Sequence, residues 1–369
     1  MGRLYYLDNL RSFALLLGVF FHAAIVYADS IHYAVQNEER SVLLSYFCYW
    51  VHSFRMPMFF MISGFFSALV WEKKGKLNYT EGRIKRILIP MVIGLIFLAP
   101  IQYYLMERIK YPGLDVFEFL NRFFSERFFQ HSHIWFLVDL FLFSCAFIIS
   151  PKWLFGSRST AWIQNNFLFK IVLILFCFFI VLAAHTQFPK GMSVWGIAKL
   201  TFWFQFAFFF TGVFSYHRKI YFQIQNQFNS LKTLALGIWA IVFLVIFKGL
   251  EISDPMWMYL GAVPFYLRTF HIFLWVLLPF LWTSLLVSIF AKFYNTMTNR
   301  GKYLIEASLP IYLLHHPISL IFAFFIQMVD CHIAIKFVLH VFVVFFISFF
   351  IYHFLIRPFR PMRFVFGIK

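Results

Sequence analysis

About ten stretches of mostly apolar residues follow one another along the chain, with approximate limits 9–29, 43–71, 87–106, 134–151, 167–185, 196–216, 231–250, 269–291, 303–328 and 333–356. A helix that crosses the hydrocarbon of a bilayer needs about 20 such residues. The spacing therefore predicts an all-α, polytopic membrane helix bundle with about ten transmembrane helices. Composition points the same way. Of 369 residues, 62% are hydrophobic and 13% charged, and mean hydropathy is +0.77, against about 25% charged residues in soluble domains. An ordinary core cannot hide this much apolar surface, so lipid has to solvate the rest. A soluble enzyme, a disordered chain and a disulfide-built secreted scaffold are excluded. Cys48, Cys145, Cys177 and Cys331 stand far apart inside apolar stretches without CxxC or Cys/His spacing, so neither a disulfide frame nor a zinc site is expected. No cleavable signal is expected, because the first stretch contains Arg11 and no small-x-small site follows it. Without a linker, repeat or low-complexity tract, residues 1–369 read as a single transmembrane domain.

The net charge of +17 would suggest nucleic acid in a soluble protein. Here it reads as cytoplasmic loop charge and contact with lipid head groups, with no nucleic-acid partner. With the N-terminus inside, the first inner loop, 72–86, carries Lys73, Lys74, Lys76, Arg83, Lys85 and Arg86. Later inner segments carry Lys152, Arg158 and Lys170, then Arg218, Lys219 and Lys232, then Lys292, Arg300 and Lys302, and finally Arg357, Arg360, Arg363 and Lys369. Arg3 and Arg11 add to the same side. The bias recurs at every inner segment and predicts that both termini are cytoplasmic. Acidic residues such as Asp29, Glu38, Glu107, Asp115, Glu251, Asp254 and Asp330 favour the other side.

Charged and ionisable residues inside spans cost roughly 2.5–3.5 kcal/mol each on insertion scales and mark function by default. Arg11 and His22 are eleven residues apart on the first helix, which places them only ~20° apart around the axis and ~16 Å apart along it. Asp8 stands one turn before Arg11, in position to pair with it. The plain alternative is an arginine snorkelling to the interface and a histidine bonded to a neighbouring carbonyl. On the second helix, His52 and Arg55 share a face, Pro57 predicts a freed carbonyl and a kink, and Ser63-Gly64 predicts close approach of a neighbouring helix. Gln130, His133, Trp135 and Asp139 mark the entry to the fourth stretch. The ninth carries Ser308, Pro310, Tyr312, His315, His316 and Pro317. Adjacent side chains point in different directions, so at most one of His315 and His316 is expected to face a common cavity. Arg83 and Arg86 read either as positive-inside anchors or as a planar-fork clamp for phosphate.

These blocks, in this order, resemble the membrane-bound acyltransferase family often called acyltransferase family 3. The likeness rests on Leu7-Asp8-x-x-Arg11 followed by His22, and on the His52-Ser-Phe-Arg55-Met-Pro block through Ser63-Gly64. It continues in Arg83-x-x-Arg86-x-x-x-Pro90, in His133-x-Trp135-Phe-Leu, and in Ser308-x-x-Ile-Tyr312-Leu-Leu-His315. Within the family, the first two blocks are most similar to a branch assigned to succinylation of periplasmic glucans. Several relatives carry a fused extracytoplasmic hydrolase-like domain; none is expected here, so the acyl receiver is expected to be another molecule.

The resemblance implies transfer of a short acyl group, succinyl favoured over acetyl, from a cytoplasmic acyl-CoA to a hydroxyl of an extracytoplasmic carbohydrate. That carbohydrate is a periplasmic glucan or another exported polysaccharide. It implies a multi-pass protein of the inner membrane that meets lipid and glucan-synthesis partner proteins, with succinyl-CoA or acetyl-CoA as donor substrate and no tightly bound cofactor. His22, Arg11, Arg55 and His133 are the candidate catalytic residues, and Arg83 and Arg86 the candidates for the CoA phosphates. Asp8, His52, Trp135, Asp139, Tyr312 and His315 are the supporting candidates. The residue chemistry agrees: an alcohol attacks a thioester well only when a base takes its proton, and neutral imidazole suits that task. His22 serves either as that base or as a transient acyl carrier. Two other readings compete. One is a proton- or anion-coupled transporter, whose usual mark of inverted repeats with matched broken helices is not seen. The other is a haem carrier with axial histidines, which a Soret band would reveal.

Overall fold

The structure is a computed structural model that describes residues 4–31, 33, 35–127, 131–150, 166–187, 200–218, 229–250 and 264–368. Arg3, Gln130, Lys152, Arg158, Lys219, Glu251, Asp254 and Lys369 of the sequence pattern lie outside the described residues. The helices are α1 (Tyr5–Ala24), α2 (Val42–Arg83), α3 (Ile89–Ile93), α4 (Ala99–Lys110), α5 (Val116–Arg122), α6 (Trp135–Ile149), α7 (Asn166–Gln187), α8 (Leu200–His217), α9 (Ser230–Gly249), α10 (Phe265–Phe293), α11 (Asn299–Ile326), α12 (Ile333–Phe350) and α13 (Arg360–Val365). The fold is all-α and polytopic. Eight helical runs among the described residues are long and apolar enough to cross a membrane, and one of them, Val42–Arg108, holds two of the ten apolar stretches. Outward-facing rows such as Val338, Phe342, Phe346 and Phe350 on α12 are exposed, an apolar surface that only lipid solvates at low cost.

The chain divides into two compact units, one of residues 1–11, 52–80 and 142–297, the other of residues 12–51, 81–141 and 298–369. In the first unit, the close approach expected of Gly64 is made to α8. A Cβ on Gly64 would fall 1.9 Å from the Phe209 carbonyl oxygen, and one on Gly212 only 1.8 Å from that of Met61. Two glycines facing each other let the backbones meet, as small residues do where no hydrophobic driving force separates helix from lipid. Phe204 stacks on Trp275 with centroids 4.0 Å apart, tying α8 to α10.

Two expectations about the second helix need correction. α2 passes through Pro57 with helical torsions, and its break comes at Gly75 (φ 78°, ψ 172°). Proline removes one hydrogen bond but keeps a helical φ, whereas only glycine enters the positive-φ region without steric cost. On either side of Gly75, residues 72–86 are also helical rather than an open loop, continuing through a π-helical turn at Ile84–Leu88. Exposed Lys85 and Glu81 pair at i, i+4 there at 2.5 Å.

The second unit is built around α11. A second π turn at Gly94–Leu98 precedes α4. Gly94 lies against Ile134, whose Cδ1 would be 2.8 Å from a Cβ, so its lack of a side chain admits the segment that carries His133. The turn Ile25–Tyr27 and the segment after it are pinned by Asn37 N to Val26 O (3.0 Å) and Ser41 N to Tyr27 O (2.8 Å). Glu107 of α4 and Arg122 of α5 form an ion pair. Val26, Tyr27, Leu320, Ala323 and Ile333 form one apolar cluster, and Val19, Ile311, Leu314, Val344 and Tyr352 another.

Candidate active site

Four histidines from three parts of the second unit converge. α11 starts under the cap of Thr298, whose Oγ1 accepts from Gly301 N at 2.9 Å, and presents His315 and His316 midway along its length, just before Pro317. His22, near the end of α1, lies 5.1 Å from the His315 ring and 4.5 Å from the His316 ring, centroid to centroid. His133, in the short 3-10 turn before α6, lies 5.6 Å from His315 and stacks on His316 at 4.9 Å. Both adjacent histidines therefore belong to the cluster, against the expectation that only one would. A 100° step separates them on the helix, but α11 meets α1 on one side and the 131–134 segment on the other, so both directions lead into the same group.

The bonds around these rings follow from the local sequence. Pro317 has no N–H, so the carbonyl of Leu313 loses its α-helical donor. His133 Nε2 donates to that oxygen at 3.0 Å. On the other side, His133 Nδ1 lies 2.8 Å from Gln102 Oε1, and Ser132 Oγ donates to the same oxygen at 2.5 Å. Gln102 is fully buried on α4, where its Nε2 donates back to Leu98 O at 2.8 Å. His315 Nδ1 donates to Tyr312 O at 2.5 Å, which leaves the ring's lone pair on Nε2. His316 Nε2 bonds the Tyr33 hydroxyl at 2.7 Å. That hydroxyl is turned inward and shielded from water, which raises the phenol above its ordinary range and keeps it protonated. Tyr312 closes the floor of the group, its ring 4.4 Å from Phe136 and 5.9 Å from His133. His133, His315 and His316 are buried, while His22 is only half-buried. Among the described residues no group of three or more His, Cys, Asp and Glu is arranged to hold a metal ion. The rings are held by amide, hydroxyl and carbonyl groups.

The other residues singled out from sequence fall as follows. Trp135 is half-buried at the first position of α6, and Asp139 is buried one turn later. Arg83 ends α2, and Arg86 is exposed in the π turn that follows, with the C-terminal Gly367 packed on its backbone. In the first unit, Arg11 pairs with Asp8 at 4.0 Å, the long end of an ion pair, and lies over the Phe66 ring at 5.3 Å. Arg55 is buried on α2, whereas His52 is exposed. Gln102 and Tyr33 escaped the sequence reading, and His316 was noted there without being assigned to the site. Gln102 carried a usable signal, an amide in an apolar stretch; Tyr33 carried none, since it sits in the connection after α1.

A family model described as an acyltransferase domain matches residues 4–356, across both units. The chain belongs to this acyltransferase family. Among curated proteins it is similar to Glucans biosynthesis protein C of Escherichia coli strain SMS-3-5 / SECEC and of strain K12. Each is 27% identical over 350 residues, covering 88% of this chain and 84% of the relative. No solved structure matches. The protein is thus a multi-pass membrane acyltransferase, and the histidine group lies within the matched region.

Proposed function

We propose that this acyltransferase moves a succinyl group, or failing that an acetyl group, from a cytoplasmic acyl-CoA to a hydroxyl of an extracytoplasmic carbohydrate such as a periplasmic glucan. The observation that carries the reading is His22, only partly buried, set among three buried imidazoles. A base has to reach the acceptor, and His22 is the least buried member of the group. As the acceptor oxygen attacks the thioester carbonyl, its proton passes to His22, the carbon–sulfur bond breaks, and the departing thiolate takes that proton. With His22 as carrier, the acyl group rests on the imidazole before the hydroxyl takes it. His315, with its lone pair on Nε2, and His133, whose Nε2 donates to Leu313 O, flank this centre.

Arg83 and Arg86 are proposed to bind the donor's phosphates. Arg86 precedes Gln102 by sixteen residues, roughly 24 Å along a helical path, so a donor held there needs an extended arm to bring its thioester to the histidines. The name of the relatives supports a glucan as acceptor. Mass spectrometry of periplasmic glucans tests the reading in three strains: intact, gene-deleted, and carrying His22→Ala at matched protein level. Loss of one acyl mass in both altered strains is expected, and that mass names the group. An unchanged profile on deletion removes the glucan as acceptor. Loss on deletion with full retention in His22→Ala removes His22 from the reaction.

A further inference from the structure

Next to the histidine group runs a second buried polar chain that the acyl-transfer reading does not use. Tyr27 Oη lies 3.1 Å from His340 Nδ1, His340 Nε2 lies 2.8 Å from Ser319 Oγ, and Ser319 Oγ lies 3.5 Å from the carbonyl oxygen of His22. Tyr27 and His340 are completely buried and Ser319 nearly so. They come from the turn after α1, from α12 and from α11, and Ser319 is one turn beyond His315 and His316. For a neutral His340 ring the proton count has one solution that makes all three bonds. The His22 carbonyl can only accept, so Ser319 O–H donates to it. His340 Nε2–H must then donate to Ser319 Oγ, and Tyr27 O–H to His340 Nδ1.

His22 is among the last four residues of α1, where the carbonyls leave the regular α-helical ladder. The hydroxyl of Ser319 meets one of those carbonyls, and the chain that orients it starts at Tyr27, five residues further along the same segment. The loop is closed: both ends of the 22–27 turn are tied to α11 and α12 through one directed set of bonds. We infer that Ser319, His340 and Tyr27 are positioning residues, which fix the end of α1 against α11 and so hold the His22 imidazole where it faces His315 and His316.

The inference rests on the acyl-transfer reading for its kinetic consequence, and a second measurement stands independently of it. The kinetic arm uses purified protein with labelled acyl-CoA and an oligosaccharide acceptor. Ser319→Ala and His340→Leu should lower turnover about tenfold while leaving both KM values in place. Ser319→Thr, which keeps the hydroxyl, should restore most of the turnover. The second arm measures carbethoxylation of His22 by diethyl pyrocarbonate, read by peptide mass spectrometry on folded protein. Ser319→Ala should change that rate severalfold and Ser319→Thr should return it. Wild-type turnover in Ser319→Ala, or a loss that follows the folded fraction and is not rescued by threonine, overturns the inference. An unchanged His22 modification rate in Ser319→Ala overturns it as well. If wild-type protein transfers no acyl group, the functional reading fails, and the modification arm still decides the positioning.

Discussion

Replacing Gln102 by leucine keeps the volume of a fully buried side chain and removes its polar end. Ser132 Oγ and His133 Nδ1 then lose the oxygen they face at 2.5 and 2.8 Å. A buried polar atom left without a partner costs about 1–3 kcal/mol. Ser132 is half-buried and can turn to water, so most of the cost falls on buried His133. The protein has two ways to meet it. With the ring in place, the folded state is less stable by about 1–3 kcal/mol. If the ring turns, it gives up Leu313 O and its stack on His316, and the same energy appears as a roughly 5- to 150-fold loss of turnover. Both are measured on one preparation, as thermal unfolding in detergent and as labelled acyl transfer in proteoliposomes. Gln102→Leu protein with wild-type unfolding and turnover within twofold of wild type would refute the assignment of Gln102 as the residue that orients His133.

Other expectations follow from single contacts. Tyr33→Phe removes the hydroxyl at 2.7 Å from His316 and should lower turnover several-fold, in line with a net hydrogen bond of about 0.5–1.5 kcal/mol. Because the Tyr33 phenol is raised in the folded state, its neutral form favours folding; wild-type stability should fall as pH rises above about 10, and less so in Tyr33→Phe, as thermal unfolding across pH will show. Gly64→Ala or Gly212→Ala places a methyl within 2 Å of a backbone oxygen on the facing helix, and overpacking of about 1–3 kcal/mol or more should reduce folded yield and unfolding temperature. Arg86→Ala should raise the KM for acyl-CoA about tenfold with little change in turnover, measured by initial rates at saturating acceptor.

Much of the architecture was legible because membrane spans announce themselves by length and apolarity, and each of the ten stretches contains a described helix. His22, His133 and His315 were legible for a related reason: an ionisable group in an apolar stretch is costly, so its presence asks for a function. The same rule applied to His340, and its counterpart for a buried amide applied to Gln102, would have brought both forward. The one-face argument against His316 holds for a helix with one neighbour and fails for α11, which is packed on several sides. Pro57 drew attention as the breaker in α2, yet the torsional freedom lay at Gly75. Tyr33 was out of reach, since nothing local says that a residue in a connection will fold back onto a histidine nearly three hundred positions later.

The central claim is that acyl transfer passes through His22. The most direct measurement is transfer of isotopically labelled succinyl from succinyl-CoA to a purified glucan by reconstituted wild-type, His22→Ala and His133→Ala protein, with labelled acetyl-CoA alongside. The account predicts labelled ester on the glucan with wild-type protein, none above background with His22→Ala, and a reduced but measurable rate with His133→Ala. Wild-type rates from folded His22→Ala protein would contradict it.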